Sequence, residues 1–177
     1  MESTQIVGTS SETGPELFVG LVGAVGTDLE LVVRLLTDSL ATVRYSTKRT
    51  KSGETSIRLA RLLHKVTKYK GLKTEPVDVY TDEHMSAGDD FRKITERDDA
   101  LALLAITEIM DERKDASERQ LLVNNVIQRR AFILRSLKNP KELRTLREVY
   151  DAAFYLLARV FSSRGEARPS CEKNCRI

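Results

Sequence analysis

Tryptophan is missing from this chain of 177 residues, and cysteine and histidine occur only twice each. Tyr69 is the only aromatic residue inside the basic stretch Ser46 to Glu75, so a platform for stacking nucleic-acid bases is lacking and nucleic acid is not an expected partner. Both cysteines, Cys171 and Cys175, fall in the terminal "CEKNCRI", one residue too far apart for a C-x-x-C pair and with no histidine nearby. A structural zinc site takes about four ligands, so this tail is expected to carry exposed thiols and the chain no zinc. His64 and His84 sit in unrelated contexts, "RLLHKV" and "DEHMSA", and are expected to be ordinary surface or core residues. No apolar run approaches the roughly 20 residues that span a bilayer. The start, "MESTQIVGTSSETGP", has no basic region followed by an apolar one. The expectation is a cytoplasmic protein with no membrane partner.

What the chain does have is enough apolar content for one compact domain: 41% of residues are hydrophobic and 31% charged. The net charge of +3 hides a segregation, because Ser46 to Glu75 is strongly basic and Asp78 to Arg119 acidic. Two solvated faces that offset each other are the simplest reading. The basic segment is also suited to attracting a polyphosphate.

Residues 1–14 read as a mobile polar tail, 15–162 as the folded domain and 163–177 as an irregular tail. "LFVGLVG" is a short apolar run bounded by glycines and reads as a buried strand. Thr27 and Asp28 suit the N-cap of a helix whose Leu29, Val32, Val33, Leu36 and Leu40 recur at helical spacing. "TVRYST" is expected to be a second strand, Lys48 to Thr55 a loop, and Ile57 to Val66 a second helix. Beyond Pro76, Val77 to Thr95 reads as mostly helix with Gly88 as a close-approach position. Arg97 to Lys114 reads as a largely buried helix, and "DASERQLLVNN" as a polar connection with an apolar patch. "RRAFILRSL" is expected to be a strand, "NPKELRTLREVYDAA" a helix with Asn139 as N-cap and Pro140 at its first position, and "FYLLARVF" a last strand. Alternating strands and helices predict an α/β fold: a parallel sheet covered by helices on both faces, with "LFVGLVG" central.

The stretch "GLVGAVGTD" from Gly20 to Asp28 has the layout of a phosphate-binding loop, G-x-x-x-x-G-K-[ST], with Gly26 where the lysine belongs and Thr27 at the hydroxyl that meets magnesium. Gly23 and Gly26 can adopt positive φ, and a helix N-terminus follows. A tight packing turn explains the same glycines, so the loop by itself leaves both readings open. A second segment, Ala131 to Tyr150, resembles a late part of small P-loop nucleotide kinases. There an apolar strand ends in an acidic residue; here it ends in Arg135 and Ser136. Both supports of phosphoryl transfer are thus replaced, which predicts binding with little or no turnover.

With "PELFVGLVGAVGTDLE", "YTDEHMSAGDDFRKITERDDALALLAITEI" and "RRAFILRSLKNPKELRTLREVYDAAFYLLARVFS" in view, the span from Pro15 to about Phe161 resembles the N-terminal P-loop kinase-like domain of the antiphage deoxycytidylate deaminases. That resemblance implies a kinase-like regulatory domain in antiviral defence, which binds nucleotide and serves a zinc-dependent deaminase domain. It implies that Gly20, Gly23, Gly26 and Thr27 form the phosphate loop, with Asp28 capping its helix and Thr27 meeting magnesium. Gly88 and Arg92 would border the nucleotide, and Arg130 or Arg135 would supply the charge of the missing lysine. Each of these arginines reads equally as a salt-bridge partner.

The H-x-E and P-C-x-x-C segments of a zinc deaminase do not occur, so no deamination is expected of this chain. The implied partners are a nucleotide and the deaminase domain of a parent protein, with a homo-oligomer left open. The terminal "GEARPSCEKNCRI" departs from the charged helix that the resemblance implies, and one inserted base near Arg164 would account for it. Two alternatives stand beside this reading: a working small nucleotide kinase, and an interaction module with an empty loop.

Overall fold

The structure, a computed structural model, describes residues 14–24, 27–47, 55–73, 77–118, 122–123 and 126–159. Of the two expected tails only Gly14 is described, its amide donating to Gln128 Oε1 at 3.0 Å; Gly26 and both cysteines lie outside the described residues.

Four strands form one all-parallel sheet: β1 (Leu17–Gly23), β2 (Ile57–Arg58), β5 (Ala131–Arg135) and β6 (Phe154–Arg159), in the order β2-β5-β1-β6. β1 is central, as its unbroken apolar run predicts. It pairs with β5 from Leu17 opposite Ala131 to Leu21 opposite Arg135, and with β6 from Phe18 opposite Phe154 to Gly23 opposite Arg159. Side chains alternate across the sheet. On one face Val19, Leu21 and Ile133 pack against Val33, Val32 and Leu36 of helix α1 (Leu29–Thr42). On the other, Phe18, Phe132, Leu134 and Phe154 join the larger core with helices α2 (Val77–Thr95), α3 (Ala100–Glu118) and α4 (Pro140–Tyr150). The sheet is covered on both faces, and no described helix is long and apolar enough to cross a membrane.

Local signals explain the helix ends. Asp28 Oδ1 accepts the Leu31 amide at 3.0 Å and starts α1. Asn139 caps α4 within a capping box closed by Glu142, with Pro140 at the first helical position.

The structure corrects several expectations. "TVRYST" is not a strand: α1 runs on to Thr42, and only Ser46 bridges to Arg130. Ile57 to Val66 is not an α-helix. Ile57 and Arg58 pair with Leu134 and Arg135 as β2, and Leu59–Lys65 follows as 3₁₀ turns that bury Leu59, Leu62 and Leu63. Those leucines fit either helix type, so the pairing with β5 decided the outcome. Helix α3 begins at Ala100, three residues later than expected, and runs to Glu118. A short antiparallel hairpin, β3 (Leu122–Val123) and β4 (Val126–Ile127), stands where a polar connection was expected. β5 is also narrower than "RRAFILRSL".

Candidate functional site

The carboxyl ends of parallel strands are where α/β sheets bind ligands, because loops diverge there and leave a crevice. In this chain a cleft of about 480 Å³ opens at that edge. Its floor comes from Thr27 after β1, Arg58 at the end of β2, Arg135 at the end of β5, and Ser136 and Lys138 after it. Its far wall is one face of α2, where Tyr80, His84 and Gly88 recur every four residues beside Met85. Among the described residues, five cationic side chains, Arg58, Arg61, Arg92, Arg135 and Lys138, line it against one carboxylate, Asp89. An adjoining depression of about 540 Å³ matches its cations Arg92, Lys93 and Lys138 with Asp89, Glu96 and Asp98, and selects no sign of charge.

Arg135 is the most enclosed of the floor cations with a visible partner. Its side chain is 11% exposed, and its Nη1 donates to Glu30 Oε2 at 2.5 Å. Arg58 Nη2 reaches the same oxygen at 3.4 Å. Glu30 stands in the first turn of α1, so the carboxylate and two guanidinium groups meet at the mouth of the loop. The Nε of Arg135 and the Thr27 hydroxyl are both buried and have no hydrogen-bond partner among the described residues. Ser136 has a φ of 65°, sparsely populated for serine, and its amide donates back to Leu21 O at 3.1 Å. That turn folds the chain over the end of β1 and leaves Arg135 beside the cleft.

On the α2 wall, His84 is 2% exposed and its Nδ1 lies 2.8 Å from Tyr80 O. The carbonyl fixes the proton on Nδ1, so Nε2 accepts from His64 Nε2 at 2.9 Å. Burial pushes the His84 imidazole below its ordinary value, with the charges of His64 and Arg61 adding to that and the Tyr80 carbonyl opposing it. The two histidines, read separately from the sequence, are therefore one pair behind the cleft.

The residues singled out from the sequence divide. Thr27, Gly88, Arg92 and Arg135 meet in the cleft. Asp28 caps α1 as expected. Gly23 ends β1 and crowds Thr27 and Leu29: a Cβ there would lie 3.1 Å from each. Gly20 lies inside β1 rather than in the loop. A Cβ on it would come within 2.6 Å of Leu137 and 2.8 Å of Phe154, so its glycine answers to packing. Arg130 is misplaced more seriously. It precedes β5 at the opposite end of the sheet, buried over the Phe132 ring and near Glu16 and Glu112. A strand advances about 3.3 Å per residue, so Arg130 and Arg135 are about 16 Å apart along it, and only Arg135 reaches the cleft. Arg92 lines the cleft, yet its guanidinium is already held by Asp89 at 3.0 Å and Glu142 at 2.6 Å.

Sequence reasoning missed Glu30, Arg58, Arg61 and Lys138. The basic run "IRLARLL" signalled two of them, but as part of an assumed helix its arginines had no common destination.

Magnesium, implied by the sequence resemblance, fits these residues poorly. The Thr27 hydroxyl is present, but the end of β5 offers the Arg135 guanidinium where an acidic group is wanted, and Glu30 is engaged by two arginines. Among the described residues no group of three or more His, Cys, Asp or Glu side chains is arranged to hold a metal ion.

Compared with protein-family models, curated proteins and solved structures, the chain matches none.

Proposed function

We propose that this cleft binds the phosphate groups of a nucleotide, and that the domain is a P-loop kinase-like nucleotide sensor rather than an efficient phosphotransfer enzyme. One observation carries the reading: among the described residues, five cations and one carboxylate line a crevice at the carboxyl edge of a parallel sheet, beside the turn that enters α1. Glu30 and Glu142 pair three of those cations from its margins. Such a crevice concentrates anions through its field, and the guanidinium forks suit phosphate oxygens. The α2 wall, with Tyr80 and Met85, offers apolar surface to the nucleoside.

Weak turnover follows from the same geometry. Transfer depends on charges that stabilise the moving phosphoryl group and on an acid that supports the metal, and the end of β5 carries Arg135 and Ser136 in that place. The resemblance drawn from sequence extends the proposal to deoxynucleotides and to regulation of an attached deaminase domain in antiviral defence.

A thermal-shift screen tests it. Nucleoside di- and triphosphates should raise the melting temperature of the chain, while the matching nucleosides should not. A nucleoside that stabilises as strongly as its triphosphate would show that the cations do not bind phosphate.

A further inference from the structure

The Arg135–Glu30 contact is asymmetric. Arg135 is confined, at 11% exposure, whereas the Glu30 side chain is 55% exposed and can swing into water at little cost. The acid is therefore the movable member. It also leaves the cation half used, because Glu30 takes only Nη1 of its fork and the buried Nε has no partner among the described residues. A guanidinium is best matched by an anion presenting two oxygens side by side, as phosphate does.

We propose that Glu30 is a displaceable internal anion: a polyphosphate replaces its carboxylate on Arg135 and Arg58, and does so without a divalent cation. This rests on the phosphate reading of the cleft and adds to it a regulator and a metal requirement. In metal-assisted sites a dication neutralises the phosphates and is itself held by carboxylates. Here two guanidinium groups already converge at the loop, and a dication beside them would be repelled. Glu30 keeps the arginines ordered and offsets one of their two charges until the ligand arrives. Affinity is then set by the difference between two anions competing for the same donors. Its place in the first turn of α1 also gives the released carboxylate a favourable position near the helix N-terminus, so displacement does not undo the helix.

The test titrates the full chain calorimetrically with inorganic tripolyphosphate, once with chelator and once with magnesium. Glu30→Gln, Arg135→Gln and the double variant are run beside it, and circular dichroism checks each fold. Glu30→Gln should bind about twofold to fivefold tighter than the unmodified chain, as expected for removing a partly exposed competing ion pair. The gain should vanish in the double variant, and the affinity should be as high with chelator as with magnesium. Equal or weaker binding by Glu30→Gln, or binding that needs magnesium, overturns the proposal while leaving phosphate binding in place. If neither tripolyphosphate nor any nucleotide binds any variant, the phosphate reading fails with it.

Discussion

Arg92 donates from Nη2 to Glu142 Oε1 at 2.6 Å, tying the cleft-facing helix α2 to the first turn of α4. Glu142 is fully buried, and its other oxygen accepts the amides of Lys138 at 2.9 Å and Asn139 at 3.1 Å. One carboxylate thus closes the capping box of α4, fixes the turn that carries Lys138 into the cleft, and neutralises a cation of the far wall.

Removing it should therefore cost stability beyond an ordinary cap. Glu142→Ala leaves Arg92 to the exposed Asp89 alone and strands two amides, for which about 2–3 kcal/mol is expected, whereas a cap alone is worth about 1 kcal/mol. Urea denaturation measures the difference. A loss under about 1 kcal/mol would show that Arg92 finds another partner readily.

The glycines separate by what lies over them. Gly20→Ala should destabilise by about 1–3 kcal/mol, because its Cβ would enter the space of Leu137 and Phe154. Gly88→Ala should be neutral or stabilising by up to about 1 kcal/mol. Its Cβ would meet Leu101 and Arg92 only at 3.6 Å, and alanine suits a helix interior better. Melting curves of the two variants give the comparison, and a Gly88→Ala chain less stable than Gly20→Ala would contradict it.

Much of the architecture was legible because local signals agreed with it. "LFVGLVG" is apolar on both sides and became the central strand, and Asn139–Pro140 marked the start of α4. The region from Ile57 to Val66 was misread because Leu59, Leu62 and Leu63 keep helical spacing, while the deciding contact, Ile57 opposite Leu134, is distant in sequence. The candidate site was half legible. Thr27 and Arg135 could be named from the loop and the altered strand end. Glu30, Arg58 and Lys138 come from three separate segments, and only the folded sheet edge brings them together. Arg130 and Arg135 looked interchangeable as letters, and the direction of one strand separates them.

The histidine pair makes stability depend on pH near neutrality. His84 has its folded value lowered by burial, so the unfolded chain, near 6.5, takes up a proton first. Stability from this residue is complete above about pH 6.5 and declines as the pH falls below it. With only two histidines, nuclear magnetic resonance titration assigns both without ambiguity. His84 should stay neutral and protonated on Nδ1 below pH 6.5, and an ordinary titration near 6.5 for this residue would count against its burial.

Asp99 contributes to the acid limb. Its carboxyl is held down to about 2, chiefly by the Arg97 side chain at 2.8 and 2.9 Å, with burial opposing and the Thr145 hydroxyl adding. The folded value lies below the unfolded one, so its contribution is present above about pH 4 and is lost as the pH falls toward about 2. Asp99→Asn should flatten that part of the stability curve. An unchanged acid limb in the variant would assign the loss to other carboxyl groups.

The most direct measurement of the central claim is calorimetric titration of the unmodified chain and Arg135→Gln with a panel of ribo- and deoxynucleoside triphosphates, with phosphate release followed in parallel. The unmodified chain should bind at least one triphosphate and release phosphate slowly or not at all. Arg135→Gln should bind it at least about tenfold more weakly, as the loss of a charge-assisted contact implies. Equal affinity in the two chains would place the nucleotide elsewhere, and no binding by either would mean that the cationic cleft is not a nucleotide site.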